Sequence, residues 1–134
     1  MTIRILVLDD DQTRHDEFRR RFIECAVRHE HAHVDTAAKA IEYLRDAEPY
    51  DLVFLDHDLD GRVYVPVTEP NTGSEVARFL AANPDIYHRH GAFVVHSFNE
   101  AAAYGMLRLM PGSTYEPGAW TRERFPWQMV RGKL

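Results

Sequence analysis

Three short polar segments carry the residue types that could do chemistry, and each begins where an apolar run stops. Asp9-Asp10-Asp11 follow Ile3 to Leu8, Asp56-His57-Asp58 follow Leu52 to Leu55, and His96-Ser97-Phe98-Asn99 follow Ala92 to Val95. Carboxylates from Asp9, Asp10 and Asp56 gathered at one place repel one another unless a cation neutralises them. Hard oxygen donors of this kind suit Mg²⁺ or Mn²⁺, which keep several waters and contact substrate phosphate. A histidine paired with a carboxylate can act as general acid or base, so His96 and His57 are the candidates for proton transfer. Ser97 and Asn99 are suited to hold a phosphoryl oxygen, helped by the amino terminus of the helix that follows them. Asn99 also suits the cap of that helix, and Asp11 suits the cap of the first one.

The elements that must position these residues follow from the patterning. Short branched-apolar runs read as buried strands, and their alternation with longer helical patterns implies parallel strands with the polar clusters at the carboxyl ends. In an open α/β sheet that rim is where ligands bind. After the strand over residues 3–8, Thr13 can cap a helix over 14–28 with Phe18, Phe22, Cys25 and Ala26 inward. A second strand is expected over 32–36, and a helix with Ala37, Ala40, Ile41 and Leu44 on one face runs up to Pro49. The third strand leads into a long connection in which Val63, Val65 and Val67 permit a small hairpin. A helix over 74–82 ends at Asn83-Pro84, His88 to His90 fall in a loop, and after the fourth strand a helix runs over 100–110. Side chains alternate along a strand, so His57 need not point the same way as Asp56 and Asp58. A fifth strand, if it forms, lies near 113–116.

The 134 residues suit one domain, with 111–134 as a divergent C-terminal segment. Hydrophobic content of 45% and charged content of 28% are ordinary for a globular protein. No apolar segment is long enough for a membrane span and the start of the chain lacks a signal-peptide pattern, so a cytoplasmic location is expected. Cys25 is the single cysteine, which excludes an internal disulfide and a thiolate metal site. A net charge of −5 argues against duplex DNA as a partner. The basic residues of the tail, Arg122, Arg124, Arg131 and Lys133, accompany Trp120, Phe125 and Trp127, a mixture that can either pack on the domain or grip a phosphorylated ligand.

The acidic pair after the first strand, the Asp after the third and the polar residue after the fourth together resemble the receiver domain of two-component response regulators over residues 3–110. The resemblance implies a flavodoxin-like three-layer sandwich, a parallel sheet of four or five strands with helices on both faces. It places Asp9 and Asp10 as the metal-binding pair, Asp56 as the phosphoacceptor, and Asp58 at the position whose backbone carbonyl completes the metal site. Two features depart from that family: His96-Ser97 stands where it carries Thr or Ser, and no lysine-proline pair follows a fifth strand. With Leu55-Asp56-His57-Asp58-Leu59-Asp60-Gly61 and Val95-His96-Ser97-Phe98-Asn99, the chain is similar to the receiver-like group named for cyclic-phosphate processing, in which histidines join the acidic site. The Thr72-Gly73 step fits that layout.

Three functions are consistent with these residues. The first is a metal-dependent phosphoesterase that opens a cyclic phosphate on an RNA end or a nucleotide. Water, or Asp56 itself as the receiver resemblance implies, is then the nucleophile. The second is a stand-alone receiver phosphorylated on Asp56, and the third a binding module for a cyclic nucleotide or a protein. Either a monomer or a dimer is compatible with the sequence.

Overall fold

The computed structural model describes residues 2–25 and 28–132. Five strands, β1 (Ile3–Leu8), β2 (His29–Val34), β3 (Leu52–Leu55), β4 (Ala92–Val95) and β5 (Thr114–Tyr115), form one sheet in the order β2-β1-β3-β4-β5. All four pairings are parallel, so every connection is a crossover. Among the described residues six helices accompany them: α1 (Gln12–Glu24), α2 (Ala37–Asp46), α3 (Gly73–Ala82), α4 (Pro84–Arg89), α5 (Glu100–Leu109) and α6 (Trp127–Arg131). This is the doubly wound order whose reversal, between β1 and β3, opens a crevice at the carboxyl ends of the strands.

Alternation along the strands divides the core in two. Leu6, Leu8, Val53, Leu55, Phe93 and Val95 face Leu44 of α2, Val76 and Leu80 of α3, and Met106 of α5. Ile3, Ile5, Val7, Leu52, Phe54 and Val94 face the other way, against Phe18 and Phe22 of α1. On that second face the place beside α1 is filled by the C-terminal segment, through Ala119, Phe125 and Val130. The aromatic and basic tail therefore packs on the domain, with Arg122 paired to Glu24 and Arg124 to Glu116 at its surface, while Lys133 lies outside the described residues.

Several boundaries differ from the sequence expectation for local reasons. The cap of α1 is Asp11, whose side chain accepts from the Thr13 and Arg14 N–H groups, so Thr13 lies inside the helix. That helix ends at Glu24 instead of Arg28, and Ala26 lies outside the described residues. β2 begins at His29, ahead of the expected Ala32, because it follows β1 along its whole length; Thr36 leaves the strand to cap α2. Residues 84–89, expected as a loop, make the short helix α4 with Pro84 in its first turn, where a missing N–H costs nothing. Among the described residues no hairpin forms between β3 and α3. At the start of α3, Gly73 donates to the His57 carbonyl, and a side chain there would collide with the Asp56 carbonyl and Met106 Cε.

Candidate active site

The register brings three chemically active residues into one row. Leu8 pairs with Leu55 and Leu55 with Val95, so the next residues, Asp9, Asp56 and His96, stand side by side just past the ends of β1, β3 and β4. All three continue the series that faces α1, and all three are buried. One ligand atom from each lies within 4.8 Å of the other two. His96 Nε2 is 2.9 Å from Asp9 Oδ2, while Asp9 Oδ1 accepts from the Asp11 N–H at 2.9 Å. His96 Nδ1 is buried with no hydrogen-bond partner, and the ring sits edge-on to Phe18 and Trp120.

Arg14, from the first turn of α1, closes the row. Its Nη1 lies 3.2 Å from Asp56 Oδ2 and 3.5 Å from Asp9 Oδ1, and its guanidinium stacks over Trp120 at 4.8 Å. The charges divide unequally. Burial pushes Asp56 up to about 7, with Asp9 adding to the rise and His96, Arg14 and the His57 N–H opposing it. Burial also works against ionised Asp9, but its hydrogen bond to His96 and the His96 and Arg14 charges outweigh that and hold it below the usual carboxylate range. Asp9 is thus the settled anion of the pair, and Asp56 the one on the edge of taking a proton at neutral pH.

Above the row lies a cleft of about 510 Å³ whose lining includes Asp10, Arg14, Asp56, Ser97 and Asn99. Asp9 and His96 are not among its lining residues, so they stand beneath its floor. One wall is the long loop after β3, which Asp58 fastens: its carboxylate accepts from the Tyr64 and Val65 N–H groups and from Asn99 Nδ2. Asp10 accepts from the Gly61 N–H and steadies the same loop. Tyr64 is held with φ 52°, a left-handed conformation that side chains seldom adopt, and its ring is 75% exposed at the cleft wall. Phe98, 60% exposed, lines the cleft as well.

His57 is not brought to the cleft. It belongs to the opposite series of side chains, where Nε2 bonds the Val65 carbonyl at 2.8 Å and Nδ1 accepts from Ser74 Oγ at 2.9 Å. Burial pulls its pKa down, which suits a neutral ring tying the loop to α3. The Asp58 carboxylate is occupied by the loop rather than turned to the row. Ser97 Oγ accepts from the Asn99 N–H, and Asn99 Oδ1 caps α5 by accepting from the Ala102 N–H. Arg14 is the site residue that sequence reasoning missed. Its signal was present three residues after the capping Asp11, where a helical side chain reaches back over the strand ends.

The family model described as "Cyclic-phosphate processing Receiver domain" matches residues 4–111. The chain belongs to that family. The fold of this receiver domain is also shared with solved response regulators. A response regulator receiver protein from Pseudomonas putida is 14% identical, with a TM-score of 0.70 over 98% of both chains. The phosphorylated cyanobacterial phytochrome response regulator RcpA is 20% identical, with a TM-score of 0.69 over 99% of this chain and 91% of that one. The Mn²⁺-bound form of the response regulator Rcp1 is 18% identical, with a TM-score of 0.67 over 97% and 90%. No curated protein is similar enough in sequence to be matched to the chain. Among the described residues no helix is long and apolar enough to cross a membrane.

Proposed function

We propose that this receiver domain is a metal-dependent phosphoesterase that opens a cyclic phosphate on a nucleotide or an RNA end. The observation that carries the reading is the buried Asp9–His96 pair, with Nε2 2.9 Å from Oδ2, set beside Asp56 under a cleft bordered by Arg14. An ordinary phosphoacceptor site has no use for a histidine in that row. Two carboxylates, Asp9 and Asp56, with ligand atoms inside 4.8 Å of each other and of the His96 ring, offer the hard oxygen donors that suit a divalent cation of the Mg²⁺ or Mn²⁺ class. Asp9 and Asp56 would hold it from the floor, and Asp10 would reach it from the cleft. Such an ion, when bound, supplies Lewis-acid stabilisation of charge on the phosphoryl oxygens.

The chain's own groups account for the remaining steps. Arg14 holds the place of a cation between Asp9 and Asp56, and it is partly exposed, so it is free to swing toward a substrate phosphate. A guanidinium binds phosphate oxygens in paired hydrogen bonds, and its departure opens the Asp9–His96 pair to the cleft. His96 Nε2 donates its hydrogen to the Asp9 carboxylate, so it is the site that passes a proton to the leaving ribose oxygen and is reprotonated by the one the attacking water loses. Water adds to phosphorus as one P–O bond of the ring breaks, and the released ribose oxygen ends with a proton, giving a phosphomonoester. The exposed rings of Tyr64 and Phe98 offer stacking surfaces for a base, which favours a nucleotide over a simple sugar phosphate.

The test is phosphorus NMR of a nucleoside 2′,3′-cyclic phosphate incubated with the protein and Mn²⁺ or Mg²⁺, beside His96→Ala and a chelated control. Conversion to a monoester that needs both metal and His96 is the expected result; an unchanged spectrum with wild type refutes the reading. A second reading, a receiver phosphorylated on Asp56, draws on the accessibility of Asp56 from the cleft and on the phosphorylated state of RcpA. Against it, β5 is followed by Glu116-Pro117, an acid where the lysine would stand, and Lys39 is paired with Asp35. Mass spectrometry after incubation with acetyl phosphate separates the two readings, since the second requires a stable phosphoryl adduct.

A further inference from the structure

Four of the eight histidines meet away from the cleft, across β2 and α1. His29, His31 and His33 alternate along β2, an edge strand, and pair in register with Ile3, Ile5 and Val7, so their rings share the face covered by α1. They step from the exposed His31 to the half-buried His33, which meets the buried His15 of α1. Imidazoles on an apolar face are costly to bury without partners, and His31, His33 and His15 meet nitrogen to nitrogen.

The positions of the protons follow from the partners. The Asp9 carbonyl can only accept, so His15 Nε2, 2.7 Å away, carries the hydrogen, and in the neutral ring Nδ1 holds a lone pair. That lone pair meets His33 Nδ1 at 2.5 Å, closer than an ordinary nitrogen-to-nitrogen hydrogen bond. On its other side His33 Nε2 lies 3.0 Å from His31 Nδ1. Burial, together with His15, Arg19 and His31, drives the His33 pKa down to about 3, so an extra proton does not hold the rings together. A ligating histidine characteristically donates its second ring N–H to a carbonyl or similar acceptor. His15 has this arrangement toward the Asp9 carbonyl, and His33 takes it toward His31 in the tautomer that carries its hydrogen on Nε2.

We propose that His15 Nδ1 and His33 Nδ1 form a binding site for a borderline-soft divalent cation of the zinc type, with His31 accepting the His33 Nε2–H and waters completing the coordination. Imidazole nitrogens suit Zn²⁺, Ni²⁺ and Cu²⁺ and are poor ligands for Mg²⁺, so the site selects a different class of ion from the carboxylate row. Zn–N bonds of about 2.0 Å place two tetrahedral ligands roughly 3.3 Å apart, so the rings must part by about 0.8 Å. His33 sits on an edge strand with a neighbour on one side only, which leaves room for that movement. The nearby Asp16 favours a cation there and Arg19 opposes it, both at the surface of α1.

The test is titration of ZnCl₂ into the full chain in excess Mg²⁺, followed by calorimetry and by imidazole proton–nitrogen NMR. One equivalent that moves the Nδ1 resonances of His15 and His33 is expected, and it persists in Asp56→Asn, whose carboxylate row is disabled. His33→Gln weakens it by about 100-fold and His31→Ala by about 10-fold. The proposal is overturned if zinc shifts only the His96 resonances, or if His33→Gln binds as tightly as wild type. The NMR readout on the unmodified chain decides the matter even where a variant fails to fold.

Discussion

Asp56→Asn should stabilise the metal-free protein, by an amount that grows with pH. In the folded chain burial raises the Asp56 pKa from an ordinary 3.8 to about 7. A folded-state pKa above the unfolded value means that folding takes up a proton, so stability falls as pH rises through that window. Below about pH 4 Asp56 is protonated in both states and costs nothing; above about pH 7 it is ionised in both and the whole penalty is present. At 1.36 kcal/mol per pH unit the rise corresponds to about 4 kcal/mol. Asparagine resembles the protonated acid, and its amide oxygen can still accept from the His57 N–H, which Asp56 Oδ1 does at 2.8 Å. Urea denaturation of both proteins in chelator from pH 4.5 to 8.5 should therefore show curves that diverge up to about pH 7 and run parallel above it, Asn being about 4 kcal/mol ahead there. Mn²⁺ at 100 times its dissociation constant should then restore about 2.7 kcal/mol to wild type and little to the variant. Parallel curves across the pH range, or an Asn variant that is less stable at pH 8, would refute the account of Asp56 as a buried charge awaiting a cation.

Other outcomes follow from the same site. Arg14→Met should lower turnover by about 10² or more while tightening Mn²⁺ binding in calorimetry, because it removes both a phosphate contact and a competing positive charge. His96→Ala should lower turnover by about 10²–10⁴ with modest change in metal affinity; collapse of metal affinity in calorimetry would make His96 a ligand. Asp58→Ala should cost about 1–3 kcal/mol in denaturant melts and raise amide exchange at Tyr64 and Val65, whose N–H groups lose their acceptor. Gly73→Ala should cost more than about 3 kcal/mol, since the added carbon meets the Asp56 carbonyl; an unchanged melting temperature would show that α3 can shift.

Much of the site was legible because strand ends announce themselves. Apolar runs stopping at Asp9, Asp56 and His96 fixed where the polar rim falls; His57 was expected to transfer protons although period-two alternation left its direction open, and it turns away. Arg14 was hidden because its role depends on where the first turn of α1 lies relative to β3, a long-range relation that spacing alone does not carry. α4 was hidden differently: Asn83-Pro84-Asp85 is both the stop of one helix and the start of another, and only the stop was read. The beginning of β2 escaped because its inward residues are histidines, so the apolar alternation that marks a half-buried strand was absent. The tail resisted prediction for a similar reason: Ala119, Phe125 and Val130 enter the core at irregular intervals, with no helical or strand period to follow.

That tail determines where the cooperative unit ends. The family match stops at residue 111, yet Phe125 lies 5.9 Å from Phe22 and 6.2 Å from Phe54, ring to ring, deep against the sheet. A chain cut at the match boundary would lose β5 and the aromatic wall that Trp120 lends to His96, and would bare the Phe22 and Phe54 rings. Such a fragment would expose a sticky apolar face and aggregate. Proteolytic nicking between residues 116 and 126 should accordingly unfold the whole molecule in one step instead of trimming a tail from it.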